Sequence, residues 1–172
     1  MFVFGTADDV FAMAVRIEEN GNAFYKGAAA IADDAKLKKL FEDLAAMEQA
    51  HVLFFKTLRG QLPATIPTEA VWDPEGLAES YLQATADTHI FTVKAVDQRL
   101  KAVKTVGDAL DVALLFEKDS VSFFLGMKEL LPDAKDKGEI DKLIQAEMDH
   151  VRILSSIQKE FGETGTAKLF SD

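Results

Sequence analysis

The chain has 172 residues, enough for one domain with a sizeable core, and its 48% apolar and 28% charged residues with only 4 Pro exclude disorder and low complexity. The absence of cysteine excludes disulfides, thiolate nucleophiles, zinc-thiolate sites and Cys-ligated iron-sulfur centres, so any metal must sit on N and O ligands. A net charge of -10 disfavours nucleic acid as a partner, and with no leader-like opening and no long apolar run the expectation is a cytoplasmic chain with no membrane span.

Helical periodicity governs the rest. A capping box at "TADD", starting at Thr6, opens a run in which Val10, Met13, Ala14, Ile17, Phe24 and Ala28 recur at three-and-four spacing, predicting a helix over about residues 7 to 32. A second run, "AKLKKLFEDLAAMEQAHVLFFKTLRG", ends at Gly60 and carries Leu37, Leu40, Phe41, Leu44, Met47 and Phe54 on its apolar stripe. The two form hairpin one, residues 6 to 60. Residues 61 to 104 begin with the Pro-punctuated "QLPATIPTEAVWDPEG" and continue as a short helix capped at Asp73 with less regular helical pieces, a crossover too long for a turn. "TVGD" at 105 to 108 then repeats the Thr-x-x-Asp cap, a helix runs to Leu131, Pro132 and Asp133 turn the chain, and a last helix runs to about Phe161. This is hairpin two, residues 105 to 162.

The second hairpin copies the first. A shift of 99 residues lays Thr6 on Thr105, Ala14 on Ala113, Glu18 on Glu117, Phe24 on Phe123, Gly27 on Gly126, Leu44 on Leu143, Glu48 on Glu147 and His51 on His150. Two hairpins that each bury one face, joined by a long connection, predict an all-α four-helix bundle in a single domain spanning residues 1 to 172. A crossover of this length also permits two chains to exchange hairpins, and a homo-oligomer, preferably a dimer, is expected.

The repeat carries an unusual set of polar residues. Glu18 and Glu48 are 30 residues apart with their midpoint at Asp33, and Glu117 and Glu147 are 30 apart with theirs at Pro132. Each pair therefore travels roughly 22 Å out and back at about 1.5 Å per residue and returns to one level. His51 and His150 follow their Glu by three positions, on the same face. Four carboxylates facing one another in a core would raise their own pKa values or break the core apart unless something positive joined them. Two divalent cations balance the four negative charges, as do two trivalent ions sharing an oxo bridge, and oxygen-rich ligation with one imidazole per ion suits Fe or Mn better than structural Zn.

A Glu, a Glu-x-x-His, a second Glu and a second Glu-x-x-His on successive helices resembles the ligand pattern of the ferritin-like di-iron carboxylate proteins. "AVRIEENGNAFY" and "ALLFEKDSVSFF" look like the rubrerythrin branch, and the resemblance covers both hairpins. It implies a ferritin-like bundle holding two Fe ions, with Mn or Zn as substitutes. Glu18 and Glu117 would be terminal ligands, Glu48 and Glu147 would bridge, and His51 and His150 would each bind one ion. The chain departs from rubrerythrins proper at Ser120, where they carry a further carboxylate, and in lacking a Cys-ligated rubredoxin domain. The reducing electrons are then expected from an external donor protein, and the six-ligand set resembles bacterioferritin-type ferroxidase centres and several di-iron oxygenases equally well.

The expected function is an oxidoreductase that binds Fe(II) and reacts with O2 or hydrogen peroxide, as a ferroxidase or peroxide scavenger; a hydroxylase of an organic substrate and a non-catalytic iron-binding or storage protein are the alternatives. Tyr25, seven residues after Glu18, is placed to hydrogen-bond a ligand carboxylate or supply an oxidisable phenol, although Phe124 at the equivalent position shows that a ring suffices for packing. Glu19 and Asp149 point about 100° away from their ligand neighbours and read as solvated. His89 reads as structural, Trp72 as an anchor of the crossover or a subunit contact, and Gly27 and Gly126 as points of close helix approach.

Overall fold

Short polar punctuation sets the ends of the helices in the computed structural model, which describes residues 7–61, 76–77, 80–82, 84, 93–131 and 134–163. The first helix, α1, covers Ala7–Ile31 and the second, α2, Ala35–Gly60. Between them Asp34 takes an extended conformation and its carboxylate accepts the Leu37 amide at 2.9 Å, satisfying a helix-end donor that would otherwise be bare. A ten-residue helix, α3, covers Val93–Ala102, followed by α4 over Val106–Leu130 and α5 over Ala134–Glu163. At the start of α4 the predicted capping box is complete: the Thr105 hydroxyl accepts the Asp108 amide at 3.0 Å and the Asp108 carboxylate accepts the Thr105 amide at 2.9 Å. The caps expected at Thr6 and Asp73, the turn at Pro132, Trp72 and His89 lie outside the described residues. No helix among the described residues is long and apolar enough to cross a membrane.

The hairpins α1–α2 and α4–α5 pack side by side through α1 and α4, and α3 lies across both of these. Because α1 is covered by three other helices, it buries residues beyond its predicted stripe, including Phe11, Val15 and Ala29. The repeated glycines mark two places where described crossover residues approach the hairpins closely. A Cβ on Gly27 would come within 2.6 Å of Leu100 in α3, and one on Gly126 within 2.7 Å of the Tyr81 ring. Each glycine thus receives a crossover side chain where any larger residue would collide.

The core has two apolar halves. Toward one end Val10, Met13, Phe55, Phe124, Met127 and Ile140 pack together, and toward the other Phe24, Phe41, Leu44, Leu110, Phe116 and Leu154 do. Burying each such side chain contributes on the order of 2 to 3 kcal/mol. Glu18, Glu48, Glu117 and Glu147 fall between the halves on their respective helices, at the waist of the bundle. On α2 the structure corrects one expected core position. Met47 is 44% exposed, while Glu48 and the fully buried Phe55 take core-facing slots and Phe54, like Leu40, is half-buried and packs against the core from its edge. The stripe Leu37, Phe41, Leu44, Glu48, Val52, Phe55 advances by threes and fours, and the neighbours of its last members are turned about 100° away. A carboxylate occupies a slot that the apolar pattern assigned to methionine.

Candidate metal centre

Four helices bring the six predicted ligands to one place. α1 supplies Glu18, α2 Glu48 and His51, α4 Glu117, and α5 Glu147 and His150. All four carboxylates and His150 are at most 4% exposed, a burial rare for charged side chains unless they are paired or bind a metal. The imidazoles lie face to face, their centroids 5.7 Å apart, and both direct Nδ1 at the carboxylates. Nδ1 of His51 is 2.8 Å from Glu147 Oε1, 3.4 Å from Glu18 Oε2 and 3.9 Å from Glu48 Oε2. Nδ1 of His150 is 3.1 Å from Glu147 Oε2 and 3.4 Å from both Glu48 Oε1 and Glu117 Oε2.

These distances define two groups that could each hold a metal ion. Glu18, Glu48, His51 and Glu147 offer one converging set of ligand atoms, and Glu48, Glu117, Glu147 and His150 the other. Glu48 and Glu147 belong to both sets. Glu18 Oε1, Glu48 Oε1, Glu147 Oε1 and His51 Nδ1 are buried without a hydrogen bond, and the 2.8 Å approach of His51 to Glu147 is too poorly aligned to count as one. An unsatisfied buried polar atom costs about 1 to 3 kcal/mol. Several aimed at one spot are what a cation accepting their lone pairs would relieve. The donor set of carboxylate oxygens and imidazole nitrogens, with no sulfur, fits Fe or Mn.

Without a metal the cluster shares protons. Burial, reinforced by the charges on Glu48 and Glu147, pushes the Glu18 carboxyl well above the ordinary carboxylate range. Burial does the same to Glu117, with Glu48 and Glu147 adding to it and His150 opposing. Burial also acts upward on Glu48 and Glu147, but the surrounding donors outweigh it, and both fall below the ordinary range: Glu18 and the two imidazoles act on Glu48, the imidazoles and Glu117 on Glu147. Burial would lower both imidazoles, yet the adjoining carboxylates push His51 and His150 up to about 12. Glu18, Glu117 and the two rings thus hold protons more tightly than the free groups, and Glu48 and Glu147 give theirs up more readily.

Tyr25 does more than fill the core. It is 1% exposed, stacks on Phe41, and donates its hydroxyl to Glu117 Oε1. Burial, followed by the charges on Glu117 and Glu48, pushes the phenol well above its ordinary pKa, so it remains a donor. Tyr25→Phe should keep the packing, as the buried Phe124 at the repeat position does, but lower the stability of the metal-free protein by about 1 to 2 kcal/mol in urea unfolding. An unchanged midpoint would mean that the hydrogen bond contributes nothing.

The sequence pattern overlooked Gly21. It lies three residues after Glu18, on the same helical face, and a Cβ there would come within 3.3 Å of the Glu48 carboxylate. Its absent side chain leaves Glu48 its place. The corresponding residue of the second repeat, Ser120, is also small and buried. The available signal was a glycine in mid-helix, which costs roughly 0.5 to 1 kcal/mol relative to alanine and calls for a packing reason. Glu19 and Asp149, read as solvated, are exposed and paired with Lys56 and Arg152.

The two sets differ in their access to solvent. The His51 side chain is 14% exposed and the His150 side chain 3%. A cleft of about 360 Å³ between α2 and α5 has His51 in its wall, Phe54 and Leu143 as its apolar lining, and Ala50 and Ala146 as small neighbours. At its rim Lys142 Nζ is 2.7 Å from Glu139 Oε1.

A four-helix bundle whose facing helices carry two Glu/His groups with shared carboxylates is the architecture of a carboxylate-bridged dimetal protein. The sequence model of the rubrerythrin family matches residues 9–158, and the chain belongs to that family. Among solved structures it is similar to a protein from Thermotoga maritima provisionally described as a ferritin-like diiron-carboxylate protein. The two are 23% identical and align with a TM-score of 0.65 over 90% of this chain and 95% of that one, which identifies the fold as ferritin-like. Comparison with curated proteins finds no match.

Proposed function

We propose that this chain binds two iron ions at the waist of the bundle and uses them to react with O2 or hydrogen peroxide, as a ferroxidase or peroxide scavenger. The observation that carries this reading is the sharing of Glu48 and Glu147 between two otherwise separate ligand sets. Glu48 and Glu147 would bridge the ions, Glu18 and Glu117 would each bind one from outside the pair, and His51 and His150 would each bind one through Nδ1. A ferrous pair supplies two electrons at once to an O–O bond. The aromatic layers on either side keep bulk water from the carboxylates, and Tyr25 fixes the orientation of Glu117 through its hydroxyl. With no cysteine in the chain, re-reduction falls to an external electron-donor protein.

Anaerobic titration with Fe(II) should reach two ions per chain, and mixing with peroxide or O2 should then oxidise both in one kinetic event. Faster oxidation by peroxide than by O2 would identify a scavenger. Binding without oxidation would overturn the enzyme reading in favour of an iron store, and binding of fewer than two ions would overturn the paired site.

A further inference from the structure

We infer that the α2–α5 cleft is a port through which the His51 position alone exchanges ions and small ligands with solvent, leaving the His150 position sealed. This rests on the paired site proposed above. The internal repeat supplies the control. Cleft residues Ala146, Glu139 and Phe54 correspond, on the shift of 99, to Met47, Leu40 and Ile153. At His51 the wall therefore contains a methyl group and a carboxylate that ends in an ion pair at the rim, whereas the repeat assigns a thioether and an isobutyl group to the equivalent places on the His150 side. The burial of the rings follows this difference, with His51 reaching solvent and His150 shut off. Leu40 is turned inward onto the apolar cluster at its end of the bundle, while Glu139 is drawn outward to Lys142. The ligands repeat and their surroundings do not, so one pair of otherwise equivalent positions acquires a front and a back.

The roles follow from which ligands each position owns. Glu18 and His51 would hold an ion at the front, where the cleft would give it a path to solvent, while Glu48 and Glu147 would still hold one at the back. An ion at the back would be held by Glu117, whose other oxygen accepts from Tyr25, and by His150, which does not line that cleft and whose side chain is 3% exposed. A small oxidant arriving from solvent meets the front position first.

The full-length protein loaded with two Co(II) ions and mixed with excess EDTA tests this, with the ligand-field absorption reporting release. The parent should lose one ion in a fast phase and the other in a slow phase. Ala146→Met, which copies the sealed side onto the open one, should slow the fast phase at least about tenfold with the slow phase unchanged. Met47→Ala, which makes the reverse change, should accelerate the slow phase by a similar factor. Release of both ions from the parent in one phase, or an unaltered fast phase in Ala146→Met, would overturn the port while leaving the paired site intact. Failure of the parent to take up two Co(II) ions would overturn the paired site and the port together.

Discussion

Alanine at position 147 is expected to cost the protein both of its metal ions, whereas alanine at position 18 should cost it one. Glu147 presents Oε1 to His51 at 2.8 Å and Oε2 to His150 at 3.1 Å, so its removal strips an anionic ligand from both sets. Of the two imidazoles Glu18 approaches only His51, at 3.4 Å, and it contributes to one set. The same contrast should hold between Glu48, which is common to both, and Glu117, which is not. Removing one partner of a buried charge pair costs about 3 to 5 kcal/mol. A loss of that size is between roughly a hundredfold and a few thousandfold in affinity. Elemental analysis of Fe(II)-loaded, desalted Glu147→Ala and Glu48→Ala should give close to zero iron per chain, and that of Glu18→Ala and Glu117→Ala close to one. Equal retention by all four variants would show that the shared carboxylates do not bridge.

Much of this site was legible because a repeat and a helical pitch suffice to predict it. Two Glu placed 30 residues apart about a tight turn must return to one level, and Glu-x-x-His must present both side chains on one face. Thr105 and Asp108 marked the start of α4 because an exposed helix end needs those hydrogen bonds. The features that escaped depend on distances between helices, which periodicity does not encode. The spacing of Tyr25 placed it near the cluster, but only the packing of α1 against α4 brings its hydroxyl to Glu117. Gly21 acquires meaning only once the Glu48 carboxylate is known to lie over it. Met47 was misread because the apolar residues were counted without Glu48, which takes the core-facing slot beside it. The unequal exposure of His51 and His150 was concealed by the very repeat that revealed them.

Metal uptake near pH 7 should release at least the two protons held by the imidazoles, and the stabilisation conferred by metal should grow with pH. In the metal-free protein His51 and His150, at about 12, each hold a proton near pH 7, Glu18 and Glu117 are raised chiefly by burial, and Glu48 and Glu147 are lowered by their neighbours. Two divalent ions would bring four positive charges to the same cavity and displace the protons that the imidazoles and the raised carboxyls hold. In the unfolded chain these groups lose their protons near the ordinary values of 4.5 and 6.5. Above 4.5, therefore, the metal-free native state holds protons that the unfolded chain has released, and stability falls with rising pH by about 1.4 kcal/mol per unit for each such proton. The imidazoles add to this decline above 6.5 and continue to do so toward about 12. On the acid side the lowered Glu48 and Glu147 act in the opposite sense, and their contribution is lost as pH falls below 4.5. Metal-free protein should thus be most stable in mildly acidic solution, while the loaded protein, with its ligands already deprotonated, is spared the alkaline decline. Thermal unfolding of both forms from about pH 5 to about pH 8 should show the gap in Tm widening with pH, and an indicator dye in weak buffer should count the protons released on Co(II) binding. Release of fewer than about two protons, or a gap that narrows as pH rises, would mean that the carboxyls and imidazoles do not share protons as their burial and neighbours require.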